Sequence, residues 1–121
     1  MAQVIAFVPD LLFGSAVQAA VQAAGHSCRL VSAAGDAELT GADALIVDLT
    51  AEAPERLRAA AAAIQRLPTL AFYSHVEAEV RAAALAAGVV IVVPRSRMAR
   101  EGAALVQRLL EGRGATASGP N

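Results

Sequence analysis

The stretch ALIVDLT, residues 44 to 50, decides the fold. It is a continuous apolar run that ends at one carboxylate, Asp48. An apolar run of this length, bounded by polar residues, is typical of a strand that is buried on both faces. In open α/β sheets, ligands and chemistry are found where such strands end at the carboxyl edge. Asp48 is therefore either a functional side chain at that edge or the cap of the turn or helix that follows.

Short β-rich runs alternate with helical segments on both sides of this stretch. The predicted strands are 3–8, 27–32, 44–49, 69–73 and 89–93. The predicted helices are 13–24, a segment that ends at about Arg66, 77–88 and 97–111. Thr50 is the predicted N-cap of the second of these helices. Residues 33–43 contain two glycines and small polar residues, so they are predicted to form a loop or at most one helical turn. The alternation predicts one three-layer α/β/α domain with a five-stranded parallel sheet, strand order 2-1-3-4-5, and a shortened second helix.

Composition limits the classes of partner. The 121 residues are enough for one domain, which we assign to 1–112, and the Gly-rich end, 113–121, is predicted to be a flexible tail. A net charge of −1 gives no reason to expect a nucleic-acid partner. No apolar run approaches the roughly 18 residues of a membrane span and the first strand carries no basic leader, so we expect no membrane segment and a cytoplasmic location. The single Cys28 cannot form an internal disulfide.

Four features together resemble the receiver domain of bacterial response regulators, over residues 3–112. They are LIVDLT with Asp48, the Leu67-Pro68 pair before the fourth strand, Ala-Ala-Gly before the fifth strand, and VVIVVP before the last helix. The resemblance implies a flavodoxin-like (CheY-like) fold and a phospho-acceptor aspartate on strand three. It also implies a magnesium ion held by that aspartate and by an acidic pair after strand one. A hydroxyl residue after strand four and a lysine after strand five would sense the phosphoryl group.

The acidic positions match this pattern only in part. Asp48 stands at the position of the phospho-acceptor, and Asp10 matches one member of the acidic pair. Pro9 occupies the position of the other carboxylate. Magnesium is usually held by more than one carboxylate among its oxygen ligands. We therefore expect Asp10 and Asp48 to bind magnesium weakly at best, and we expect no other cofactor.

The positions that would sense the phosphoryl group also depart from the pattern. Tyr73 or Ser74 falls at the hydroxyl position, depending on a one-residue shift in alignment. Pro94 stands at the position of the lysine, and Arg95 follows it; the chain contains no lysine at all. Proline supplies neither charge nor a donor, although phosphoryl transfer depends on charge neutralisation. Arg95 would replace the lysine only if its side chain turned back over Asp48.

These departures indicate a pseudo-receiver, a receiver fold without the phosphorylation chemistry. We predict a non-enzymatic signalling module that works by protein interaction. One alternative is an atypical receiver that still accepts a phosphoryl group on Asp48, and another is a small anion-binding domain. Arg95, Arg97 and Arg100 would supply the anion site, although solvated charge at a helix start also explains them. Ser74 and His75 are adjacent and no nucleophile-elbow motif is present, so hydrolase activity is not predicted.

The first helix is the predicted contact surface. Its outward positions, Gln18, Ala19, Gln22 and Ala23, carry no charge, whereas the other helices carry Glu and Arg. Small uncharged residues permit close approach of another helix, and depletion of charge is typical of interface cores. We therefore expect a protein partner or a second copy of the chain to bind there. The alternative is that Ala and Gln are present only as good helix formers.

Overall fold

The computed structural model describes residues 1–35, 39–74 and 77–118, and its side chains as far as residue 112. The strands are β1 (Gln3–Phe7), β2 (Ser27–Val31), β3 (Ala44–Asp48), β4 (Thr69–Tyr73) and β5 (Ile91–Pro94). The helices are α1 (Leu11–Ala23), α2 (Ala53–Arg66), α3 (Ala78–Ala86) and α4 (Arg95–Ser118). Each strand except β5 is followed by a connection or helix that returns the chain to the amino edge of the sheet.

The five strands form one parallel sheet in the order β2-β1-β3-β4-β5, which confirms the predicted topology. In the described part of the chain, four helices cover the sheet. Between β2 and β3, the described residues 32–35 and 39–43 contain no α-helix, as the loop-like composition predicted. Residues 36–38 of this connection lie outside the described part of the chain.

The side chains of each strand alternate between two apolar cores. On one face, Val4, Ala6, Ile46 and Phe72 pack with α1 and α4. On the other face, the intervening strand residues pack with α2 and α3. Every residue of β3 is buried, in agreement with the continuous apolar run that predicted a strand covered on both faces.

Helices α1 and α4 approach each other closely at Gly102. A Cβ atom built there would lie 2.8 Å from the Cβ of Ala20, so only glycine fits this crossing without movement. Next to it, Glu101 has φ −124° and ψ 19°, which are not helical values and mark a kink in α4. The first turns of α4 are thereby set off from the part that packs along α1, and a cleft opens between the two helix starts.

Several elements begin or end a few residues from the predicted positions; α1, for example, begins at Leu11 and not at residue 13, because Asp10 caps it. β5 begins at Ile91, because the Val89 amide donates to the Ala84 carbonyl in α3; the Val90 amide donates to the carbonyl of Thr69 in β4. α4 begins at Arg95 and extends to Ser118, so its backbone includes part of the segment that was predicted to be a tail. Residues 119–121 lie outside the described chain, and the boundary at residue 112 stays a prediction. No helix in the described ranges has the length and apolar character needed to cross a membrane.

Candidate functional site

Asp48 is the last residue of β3, at the carboxyl edge of the sheet, as predicted. Its side chain is only 1% exposed, and it is one of two polar residues in the described chain that are buried. Burying a carboxylate is costly unless it is paired and hydrogen-bonded. The environment of its two oxygens therefore decides what Asp48 is able to do.

Thr50 and Arg56 occupy the oxygens of Asp48. The Thr50 amide and hydroxyl both donate to Oδ1, at 2.8 Å and 2.6 Å. An Arg56 guanidinium nitrogen lies 3.3 Å from Oδ2 and donates to the Asp48 backbone carbonyl at 3.0 Å. The Arg56 side chain is 14% exposed, so this is a largely buried ion pair. The carboxylate is thus neutralised and hydrogen-bonded by its own chain.

The local backbone brings Arg56 to this position. Glu52, before the first residue of α2, has a φ of 51°, in the left-handed region that residues other than glycine seldom adopt. This conformation turns the chain directly from the end of β3 into α2, and the Arg56 amide donates to the Glu52 carbonyl at 2.9 Å. The prediction that Thr50 caps this helix was wrong. The helix begins at Ala53, because the Thr50 hydroxyl bonds to Asp48 instead.

Asp10 has a structural task at the start of α1. Its Oδ1 accepts hydrogen bonds from the amides of Leu12 and Phe13, each at 2.9 Å, so it is the N-cap of the helix. Asp10 and Asp48 both follow strands at the same edge, as predicted. Within the part of the chain that is described, no group of three or more acidic, His or Cys side chains is placed to hold a metal.

The donor set at this edge does not fit a magnesium ion well. Magnesium requires several oxygen ligands in near-octahedral order. One oxygen of Asp10 is taken by two amides, one oxygen of Asp48 by Thr50, and the other faces a guanidinium. A cation would have to displace Arg56 to reach Asp48. Weak magnesium binding by Asp10 and Asp48 stays a prediction.

The two candidate hydroxyl residues lie in different surroundings. Tyr73 ends β4 and is 7% exposed, with its ring in the core on the α2 and α3 side of the sheet. Ser74 follows it and is half-buried, and its carbonyl accepts from the Glu77 amide at 3.1 Å. Among the described residues, the side-chain bonds to Asp48 come from Thr50 and Arg56 and not from these hydroxyls. His75 lies outside the described residues.

Arg95 turns away from Asp48. Pro94 ends β5 and Arg95 begins α4, and the Arg95 guanidinium carbon lies 4.8 Å from the centre of the Phe13 ring in α1. This is a cation–π contact. The other members of the predicted cluster pair with Glu101. A guanidinium nitrogen of Arg97 lies 3.4 Å from one carboxylate oxygen of Glu101, and one of Arg100 lies 3.7 Å from the other. Arg95 thus has a different partner from Arg97 and Arg100, and the positive charge beside Asp48 comes from Arg56 instead.

The predicted contact surface on α1 is exposed at three of its four positions. Ala19, Gln22 and Ala23 are exposed. Gln18 is half-buried, and its side-chain amide donates to the Cys28 carbonyl in β2 at 3.0 Å, so it ties the helix to the sheet.

Burial raises the pKa of the Cys28 thiol to about 11, which keeps it protonated and unreactive near neutral pH.

Thr50 and Arg56 are the residues at the site that the sequence interpretation missed. A hydroxyl residue two positions after an Asp at the end of a strand is typical of a local turn closed by the Asp side chain. Arg56 is also the first basic residue of the helix after Asp48. These two signals would have predicted a satisfied carboxylate. The prediction instead placed the positive charge after the fifth strand, at Arg95, Arg97 and Arg100.

Comparison of the chain with family models and with curated proteins gives no match. Solved structures do match. NtrX from Brucella abortus, in complex with ADP, has a TM-score of 0.81 at 15% identity, over 97% of this chain and 28% of the NtrX chain. A response regulator from Thermotoga maritima has a TM-score of 0.75 at 13% identity, over 92% and 98% of the two chains.

A third match is a response regulator receiver domain protein from Clostridium thermocellum, with a TM-score of 0.75 at 10% identity, over 96% and 99% of the two chains. This chain therefore spans the full length of single-domain receivers but about a quarter of NtrX. At identities this low, the likeness concerns the fold. The chain has the flavodoxin-like fold of response-regulator receiver domains.

Proposed function

We propose that the chain is a pseudo-receiver, a signalling module that works by binding a protein partner or a second copy and not by accepting a phosphoryl group. One observation carries this proposal: Thr50 and Arg56 satisfy both oxygens of a carboxylate that is 1% exposed. A phospho-acceptor must present a free carboxylate oxygen in line with the donor phosphorus. We propose a signalling role because the neighbouring structures that share this fold are response regulators.

The distribution of charge supports the same conclusion. Phosphoryl transfer requires cations beside the transferred group, which magnesium and a lysine would supply. In this chain the position of the lysine is Pro94, and Arg95 contacts Phe13 in α1. Arg56 is the cation at Asp48, and its contact neutralises the aspartate itself. The pair ties α2 to the end of β3.

The interaction role is supported by the surface of α1. Its outward stripe of Ala19, Gln22 and Ala23 is exposed and uncharged. Near its start, Leu11 and Leu12 are 84% and 79% exposed, which is unusual for adjacent leucines. Uncharged small residues and exposed apolar residues on one helix favour contact with another polypeptide.

Incubation with acetyl phosphate and magnesium, followed by intact-mass measurement, tests the proposal. We expect no gain of one phosphate in the wild type, while a phosphorylatable receiver domain treated in parallel gains it. The matched variant Asp48→Asn serves as the control for modification at other residues. A substantial adduct on the wild type that is absent from Asp48→Asn would overturn the proposal and make the chain an atypical phosphorylatable receiver.

A further inference from the structure

We propose that the cleft between the starts of α1 and α4 is a binding site for a small amphipathic anion, a ligand with an apolar body and one carboxylate. The cleft has a volume of about 540 Å³. That volume falls within the roughly 300–1,000 Å³ of small-molecule pockets. This site goes beyond the proposed pseudo-receiver function and does not depend on it, because neither Thr50 nor Arg56, the residues that satisfy the Asp48 carboxylate, lines the cleft.

The walls of the cleft suit an apolar, preferably aromatic, body. Phe13 of α1 and Phe72 of β4 meet edge to face, with ring centres 6.3 Å apart and planes at 84°. Val17 and the buried Met98 complete the apolar lining. An aromatic ring gains both burial and favourable ring geometry against such a pair. Three alanines, Ala16, Ala20 and Ala99, also line the cleft, and their small side chains leave its space unfilled.

Arg95 supplies the charge that selects an anion. It lines the cleft, and its guanidinium is held 4.8 Å above the Phe13 ring. Among the side chains that the structure describes, no carboxylate forms an ion pair with it, whereas Arg97 and Arg100 share Glu101. A guanidinium is weakly hydrated and its planar fork matches a carboxylate. Beside an apolar surface this pairing is stronger than in bulk water.

The occupant with the best match is a small molecule that carries a single charge. Among the residues that the structure describes, Arg95 is the one charged member of the lining, and Ser96 beside it offers a hydroxyl donor. A ligand with one carboxylate at the Arg95 end and a ring against Phe13 and Phe72 satisfies every polar group and covers the apolar wall. Leu12, which also lines the cleft and is 79% exposed, would gain burial against such a ring.

A matched pair of probes, 4-phenylbutyrate and 4-phenylbutan-1-ol, tests the site by NMR titration of the ¹⁵N-labelled chain. The two probes share the ring and the carbon chain and differ in charge. We expect saturable shifts of the Phe13, Ala16 and Ala99 amides with both, and at least tenfold tighter binding of the acid. Equal affinities for the two probes, or no shift of these amides at millimolar probe, would overturn the proposal.

Three variants show whether the preference for the acid comes from Arg95 and whether the probes bind in the cleft. Arg95→Gln is expected to remove the preference for the acid and to leave the affinity for the alcohol unchanged. Arg100→Gln, an exposed arginine paired with Glu101 outside the cleft, is the matched control and should keep the wild-type preference. Ala16→Phe, at an exposed lining position, fills the cleft and should abolish binding of both probes.

Two results would contradict the assignment. The first is an equal loss of the acid preference in Arg95→Gln and Arg100→Gln, because it would mean a general charge effect. The second is a shift of the same amides with protein concentration alone, which would identify the cleft as an interface between copies of the chain. The dispersion of amide signals in each variant shows whether it is folded before its binding is interpreted.

Discussion

The end of β3 and the cleft between α1 and α4 lie side by side at the carboxyl edge of the sheet, because Asp48 pairs in register with Phe72. Their charged groups differ. The carboxylate of Asp48 is buried and fully paired within the chain. The guanidinium of Arg95 is exposed and rests on a ring, with no carboxylate partner among the described side chains.

The difference has a simple origin in the sequence. Glu101 follows Arg97 by four residues, so the two pair along one face of α4. The residue four positions after Arg95 is Ala99, which leaves Arg95 without such a partner on its own helix. Asp48, in contrast, is followed by Thr50 in the connection to α2 and by Arg56 in the first turn of α2. The comparison teaches that chemistry at a sheet edge depends on the partners that the next helix supplies.

The largest effect on the free energy of unfolding is expected at the buried pair of Asp48 and Arg56. We expect Arg56→Met to lower the free energy of unfolding by about 3 kcal/mol, because it leaves a buried carboxylate without a counter-charge. Asp48→Asn should cost less, about 1–2 kcal/mol, because the amide oxygen still accepts from Thr50 and Arg56 can turn toward water. Urea denaturation of both variants measures the difference. A larger loss in Asp48→Asn than in Arg56→Met would contradict the conclusion that Arg56 supplies the counter-charge of the buried Asp48 carboxylate.

The second-largest effect on stability is expected at Gly102, where α1 and α4 cross closely. Gly102→Ala would place a Cβ 2.8 Å from the Ala20 Cβ, so we expect a loss of about 2 kcal/mol from overpacking. Gly112→Ala, in the same helix but with open space around its Cβ position, is the matched control and should be neutral or up to about 1 kcal/mol stabilising. Thermal or urea unfolding compares them. Equal effects at the two glycines would show that the crossing is not tight.

Removal of one hydrogen bond at Asp48 should have a smaller effect. Thr50→Ala deletes the hydroxyl donor 2.6 Å from Oδ1, and we expect a loss of about 1.5 kcal/mol. Thr50→Ser keeps the donor and should recover most of that loss. The same urea titration applies. If serine recovered nothing, the effect of alanine would come from the methyl group, and the hydroxyl would not contribute to closing the carboxylate.

The smallest effect on stability is expected on the outer stripe of α1. Ala19→Glu with Ala23→Glu should change the free energy of unfolding by less than about 0.5 kcal/mol, because both sites are exposed. In sedimentation velocity, the pair should weaken any self-association. Ala59→Glu with Ala62→Glu, at exposed sites of α2, is the control. Self-association that persists equally in both double variants would rule out an interface on α1.

Much of the fold was predictable because its signals are local. The buried strands are short apolar runs, and the glycines near the helix ends mark where the chain turns back. Gly88, for example, follows α3 with a φ of 102°, a conformation that favours glycine. The parallel order then follows from the alternation of strands and helices. The start of α4 was predicted two residues late, because nothing in the sequence distinguishes Arg95 from a loop residue after Pro94.

The site was less predictable because its contacts depend on side-chain direction. The position of Asp48 followed from the strand pattern, but its partner did not. Arg56 reaches Asp48 because Glu52 adopts a left-handed backbone conformation. A glutamate in the sequence does not predict that conformation. The cation–π contact between Arg95 and Phe13 joins residues more than eighty positions apart, and periodicity along the chain carries no information about it.

The most direct test of the closed carboxylate is titration with beryllofluoride and magnesium, a mimic of the phosphoryl group that binds a free aspartate oxygen. The amides of Leu49 and Thr50 beside Asp48 report binding by NMR. We expect no saturable shift of either amide in the wild type, because Thr50 and Arg56 already hold both oxygens. A saturable shift that disappears in Asp48→Asn would contradict the account.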